Sequence, residues 1–219
     1  MDFMKLLQSL EQALFEVISW LVFYPITLWQ AIRHPFAMMD YADGELMRSA
    51  DDRFTSRLSP PIFLAITLGL LHLVEVQNDG AKLKGFLADS TNLMAFRMFV
   101  LSVLPLGIAV RFMQFQNLMF DRKVLRPLFY GQIYISAPIA MAVGLASAIL
   151  PRFVERSFLG DLAGIAVLLI GGLWYMALEI VWFQRHGPMS YMRAAIYTVW
   201  ATFVSLVLII VLSVAVSKL

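Results

Sequence analysis

Apolar runs about 20 residues long constrain this chain more than any motif does. A helix rises about 1.5 Å per residue and needs that length to cross about 30 Å of hydrocarbon. Five stretches approach or exceed it, at 60–76, 93–110, 128–150, 158–183 and 191–217. The first is short and the fourth long. Hydrophobic residues make up 60% of the chain against 15% charged, and the mean hydropathy is +0.76. A water-soluble core cannot hide that much apolar surface. The pattern predicts an all-α fold, a polytopic transmembrane bundle of about five spans forming one unit over 60–219. Pro60 and Pro61 suit a first helical turn, whereas Pro105 and Pro138 fall inside spans and predict kinks.

The first 35 residues follow a different pattern. Leu6, Leu7, Leu10, Leu14, Ile18 and Leu21 recur at helical spacing opposite Gln8, Glu11, Gln12 and Ser19, which describes an amphipathic helix on a membrane surface. From residue 17 to 29 both faces become apolar, but that run alone is too short to span and contains Pro25. Trp20, Tyr24 and Trp29 favour the interface. Residues 1–35 therefore read as an interfacial or re-entrant helix, with a sixth crossing as the alternative. Asp2 beside a single Lys5, with no small-residue cleavage site after the apolar stretch, does not read as a signal peptide. Residues 36–59 read as a cytoplasmic loop. Asp40, Asp43, Glu45, Asp51 and Asp52 are interrupted there by Arg48 and Arg53, the mixed-sign pattern of solvated surface.

Lysine and arginine placement predicts orientation. With the amino terminus inside, the cytoplasmic segments hold Lys5, Arg33, Arg48, Arg53, Arg57, Arg111, Arg122, Lys123, Arg126, Arg185 and Arg193. Lys82, Lys84, Arg97, Arg152, Arg156 and Lys218 fall outside, a bias of eleven to six. This places residues 31–58 in the cytoplasm and the carboxyl terminus outside. The basic residues are dispersed between apolar segments, so the pI near 9.0 signals orientation and not nucleic-acid binding.

Leu173, Trp174, Tyr175, Met176, Ala177 and Leu178 are followed by His186, Gly187, Pro188, Met189 and Ser190, then Arg193, Ala194 and Ala195. This succession resembles the bacterial branch of the Yip1 family, in which a tryptophan-containing helix meets a short histidine-glycine turn before the last helix. Upstream, the stretch from Tyr130 through Gln132 and Ser136 to Pro138 resembles that family's third helix. The resemblance runs loosely from residue 93 onward. It implies five spans, a cytoplasmic amino terminus, an external carboxyl terminus and a bacterial inner-membrane location. The aspartate-leucine-tyrosine-glycine sequence of eukaryotic members is absent, and Met39, Asp40, Tyr41, Ala42, Asp43 and Gly44 stand in its place. Bacterial members are often labelled permeases without a defined substrate, so the resemblance implies a fold more than an activity.

Ionisable residues in spans are costly and usually have a partner or a water path. His72 and Glu75 share a face near the outer end of the first predicted span, and Arg97 opens the second, so a Glu75–Arg97 pair is predicted there. Its functional reading is an external gate or proton site; its structural reading is an ion pair or snorkelling to headgroups. Glu179 lies about a turn from the cytoplasmic end of the fourth span, within reach of Arg185 or Arg193 across the Gly187–Pro188 turn. Gly160 and Gly164 form a GxxxG, Ala140, Gly144 and Ala148 continue the spacing in the third span, and Gly171 and Gly172 interrupt the fourth. Such positions serve packing within one chain or self-association equally.

Enzyme motifs fail on inspection. His34, His72 and His186 are far apart and lack metal-binding spacing, cysteine is absent, and there is no phosphate loop or nucleophile elbow. The expectation is a non-enzymatic chain with no catalytic, cofactor or metal residues. Its partners would be the lipid bilayer and a second membrane protein or copy of itself. Two functions remain open: organising membrane or partner proteins, or acting as a small channel or permease lined by Gln132, Ser136, Ser147 and Thr202.

Overall fold

With no water in the hydrocarbon, each crossing segment must satisfy its own backbone, and helices do so. The computed structural model describes residues 3–49, 52–76, 88–153 and 158–216. Among them are seven helices and no strand: α1 (Phe3–Arg33), α2 (Pro35–Met47), α3 (Pro60–Val76), α4 (Ser90–Phe115), α5 (Arg122–Phe153), α6 (Phe158–His186) and α7 (Tyr191–Val216). The all-helical bundle expected from hydropathy is present. Four segments are long and apolar enough to cross a membrane, at Leu7–Arg33, Thr91–Phe115, Gly164–His186 and Tyr191–Val216, and they mark an integral membrane protein.

These four are not the same set as the five expected stretches. α3 is apolar, but its 17 residues make only about 25 Å of helix. α1 enters instead, because Pro25 lies inside it without ending it. The apolar run at 17–29, too short alone, belongs to 31 continuous helical residues. α5, which holds the expected stretch at 128–150, is the central helix and packs against α1, α2, α3, α4 and α6.

Residues 36–59, expected as a loop, are half helix. Pro35 sits in the first turn of α2, where its missing N–H costs nothing. Met38, Met39, Ala42 and Glu45 then fall on one buried face at helical spacing. That face lies on α5, with Met39 against Gly131. The acids conceal the periodicity, because one of them, Glu45, is on the buried face. Its carboxylate accepts the Phe54 N–H and pairs with Arg48 at 2.8 Å, which holds Phe54 at φ 57°. Buried charge is tolerated when it is so paired.

Helix association in lipid relies on close packing and interhelical hydrogen bonds, since lipid tails are as apolar as leucine. One buried cluster joins α1, α3 and α5 through Tyr24, Phe63, Leu68 and Tyr134. A second joins α4, α6 and α7 through Phe112, Trp182, Phe183 and Ala201, with the Phe112 and Trp182 rings 4.6 Å apart. Backbones approach most closely at two glycines. A Cβ on Gly107 would lie 2.0 Å from Ser205 Oγ on α7, and one on Gly144 would lie 2.4 Å from Leu71 Cδ2 on α3. Gly171 and Gly172 have nothing within 4 Å of such a Cβ, so a side chain at either position would meet open space. Gly164 is partly buried on α6, and the surroundings of Gly160 lie outside the described residues.

Candidate functional site

Helices that alternate in direction bring one set of their ends together. Gln116 Nε2, just past α4, donates to His186 O at the end of α6 at 2.7 Å. Arg111 on α4 lies 4.8 Å over the ring of Tyr197 on α7, and Arg185 on α6 lies 4.3 Å over Phe36 on α2. This end also holds the start of α5 and the connection from α2 to α3. Ten of the eleven basic residues predicted to share one side gather here, all but Lys5. On α2, burial raises the Asp43 carboxyl above the usual carboxylate range, as does neighbouring Asp40, while His186 opposes both.

Residues 52–59 are latched to α1 and α5. The Leu58 N–H donates to Thr27 Oγ1 on α1 at 3.2 Å, and the Tyr134 hydroxyl on α5 donates to the Leu58 carbonyl at 2.6 Å. The Tyr24 hydroxyl shares a hydrogen bond with Thr67 on α3 at 3.1 Å and reaches Met141 Sδ on α5 at 3.4 Å. Thr27→Val and Tyr134→Phe each strand one buried group of Leu58, so each is expected to cost about 1–2 kcal/mol and to speed proteolysis within 52–59. Unchanged cleavage in both variants would show that the latch is ornamental.

A cavity of about 740 Å³ opens beside α1 at this end. Glu16 and Trp20 line it on one side, Arg53 and Arg57 on another, and Arg126 and Tyr130 from the start of α5 on a third. Arg57 also donates to Gln30 Oε1. Glu16 and Gln30 are about 21 Å apart along α1, yet both lie among arginines of the basic end.

The deepest polar cluster joins α5 to α6. Glu179 and Gln132 are fully buried, and Gln132 Nε2 donates to Glu179 Oε2 at 3.1 Å. Tyr175, one turn before Glu179, brings its hydroxyl to the same carboxyl without a well-formed bond. Glu179 Oε1, Gln132 Oε1 and the Tyr175 hydroxyl have no hydrogen-bond partner. Each such group costs free energy in an apolar interior, so the cluster is held by the packing around it. Neither Glu179 nor Gln132 exposes surface. Among the described residues no group of three histidine or acidic side chains gathers to hold a metal.

No family model, curated protein or solved structure matches the chain. Its own geometry must carry the reading.

The structure sorts the residues singled out from sequence. Glu179, singled out as a carboxylate that Arg185 or Arg193 could neutralise, is fully buried, and its hydrogen-bond partner is Gln132. Arg185 stacks on Phe36, and Arg193 is exposed in the first turn of α7, its N–H directed at Ser190 Oγ at 3.5 Å. His72 is partly buried and faces a shallow apolar depression with Leu73 and Met94. Arg97 lies in the second turn of α4, while the Glu75 side chain lies outside the described residues, and with it the predicted pair. Sequence reasoning missed Tyr175, although its i, i+4 spacing from Glu179 was a usable signal. It also missed Glu45, and Thr27 and Tyr24, whose partners Leu58, Thr67 and Met141 come from distant segments.

Proposed function

We propose that this is a non-enzymatic integral membrane protein of Yip1-like type that organises the bilayer or partner membrane proteins. Its basic end faces the cytoplasm of a bacterial inner membrane and its carboxyl terminus lies outside. One observation carries the choice over a permease: the polar groups at the α5–α6 contact, Glu179 and Gln132, are fully buried against each other. A conduit needs polar side chains that water can reach. The gathered basic end supports the orientation.

The amino-terminal helix supports the organising role. α1 keeps Leu10, Leu14, Phe15, Ile18 and Leu21 exposed while Glu16 and Gln30 both stay near basic-end arginines. A helix lying in the interface satisfies both facts, with its apolar face in the acyl boundary. Exposed apolar surface on α6 and α7, including Leu169, Ile170, Leu173 and Ile210, is available to lipid, a second copy or another membrane protein.

Because the chain has no cysteine, single-cysteine labelling tests this without background. Ser9→Cys and Met47→Cys should both react from the cytoplasmic side, and a carboxyl-terminal tag should react from outside. Polar replacement of Leu10, Leu14 and Ile18 should move a probe at Ser9→Cys into water while the bundle stays in the membrane. Labelling of Ser9→Cys from outside alone would establish α1 as a crossing and remove the Yip1-like count of spans. Solute flux through vesicles reconstituted with the full chain would favour the permease.

A further inference from the structure

We propose that the cavity beside α1 binds an anionic phospholipid. Arg53, Arg57 and Arg126 hold its phosphate, and Trp20, Phe23 and Ile62 form the wall against which an acyl chain lies. The proposal rests on the membrane-embedded, interfacial placement of α1 described above and names a ligand for it.

The arginines are positioned without being neutralised. Arg53 donates from Nε to the Arg48 carbonyl at 3.0 Å and from Nη2 to the Leu46 carbonyl at 3.2 Å. Arg57 donates to Gln30 Oε1 and to the Ser56 carbonyl. Arg126 donates to the Tyr130 hydroxyl at 3.3 Å and lies 5.1 Å over that ring. Carbonyls, an amide and a phenol fix the direction of a guanidinium but do not cancel its charge. Among the described residues none of the three forms an ion pair; the nearby carboxylate of Glu45 is taken by Arg48. Glu16 lines the same cavity, leaving three positive charges against one negative. A guanidinium presents paired N–H groups that match phosphate oxygens, and basic pockets at the cytoplasmic ends of spans select anionic headgroups.

The apolar wall decides the source of the phosphate. Trp20, Phe23 and Ile62 line the same space as the arginines, and the exposed ring of Phe15 extends that wall on the same face of α1. A soluble anion would leave this wall wet. A lipid puts its charge at the arginine side and its chain along the wall, matching both chemistries at once.

The test uses the full chain in phosphatidylcholine nanodiscs doped with brominated phosphatidylglycerol or brominated phosphatidylcholine. Trp20 fluorescence is obtained as the difference from Trp20→Phe. Quenching by the anionic lipid should exceed that by the zwitterionic one by about threefold or more, and high salt should reduce the excess. Arg126→Gln, whose polar and ring contacts among the described residues are to Tyr130 of its own helix, should halve the preference, and the triple Arg53→Gln, Arg57→Gln, Arg126→Gln should abolish it. Glu16→Gln should strengthen it. Equal quenching by the two lipids, or a preference that survives Arg126→Gln intact, overturns the lipid site and leaves the membrane-organising reading standing. Loss of the preference on adding millimolar inorganic phosphate overturns it in favour of a soluble anion. Absence of quenching by either lipid places Trp20 outside the bilayer and overturns both readings.

Discussion

Replacing Gln132 with leucine should destabilise the bundle by about 2–4 kcal/mol, because it leaves the fully buried Glu179 carboxyl without its donor. Glu179→Leu should cost a similar amount, since it strands the Gln132 amide. The informative variant is the double replacement. If the pair serves only to join α5 to α6, two leucines remove both desolvation costs and fill similar volume, so the double should return to within about 1 kcal/mol of the parent. The measurement is thermal unfolding of the detergent-purified chain, followed by tryptophan fluorescence and checked by size exclusion. Additive losses in the double would mean that Tyr175 or another group relies on the carboxyl independently. A double that is stable, yet loses a flux measured for the parent in vesicles, would refute the structural role and return the carboxyl to transport chemistry.

Hydropathy made the helical class legible because apolar length is a property of each segment alone. The departures arise where structure depends on a partner far along the chain. Pro25 counted against a crossing by the 17–29 run, but a proline can lie inside a helix when neighbouring segments support that region, and Tyr24 and Thr27 bond to α3 and to Leu58. The acids of α2 concealed a buried face because Glu45, beside its local partner Arg48, also takes the Phe54 N–H once the chain folds back after α2. Glu179 could be singled out from its place in an apolar helix. Its partner could not, since Gln132 is 47 residues away and nothing in local spacing links them. The arginine bias was legible as orientation, but the cavity that unites Arg53, Arg57 and Arg126 comes from three separate segments.

Enlarging Gly144 should be among the most damaging single changes, and enlarging Gly171 or Gly172 among the least. A Cβ at Gly144 would stand 2.4 Å from Leu71 Cδ2, 2.9 Å from Cδ1 and 3.1 Å from Cγ. A rotamer change moves the two methyls, but Cγ sits too close to the α3 backbone to clear the space alone. Gly144→Ala is therefore expected to cost about 1–3 kcal/mol and Gly144→Leu more, through displacement of α3 from α5. Leu71→Ala, which costs about 2–3 kcal/mol by itself, should relieve the clash, so Gly144→Ala with Leu71→Ala should fall short of the summed losses by about 1 kcal/mol or more. At Gly171 and Gly172 a Cβ meets nothing within 4 Å, and alanine should be neutral or stabilising by up to about 1 kcal/mol through helix propensity. Unfolding midpoints of the five single variants and the double decide this. Additivity at Gly144 and Leu71 would mean that α3 does not pack on α5 through this contact. A large loss at Gly171 or Gly172 would point instead to a second chain seated on that face of α6, since nothing within the described chain occupies it.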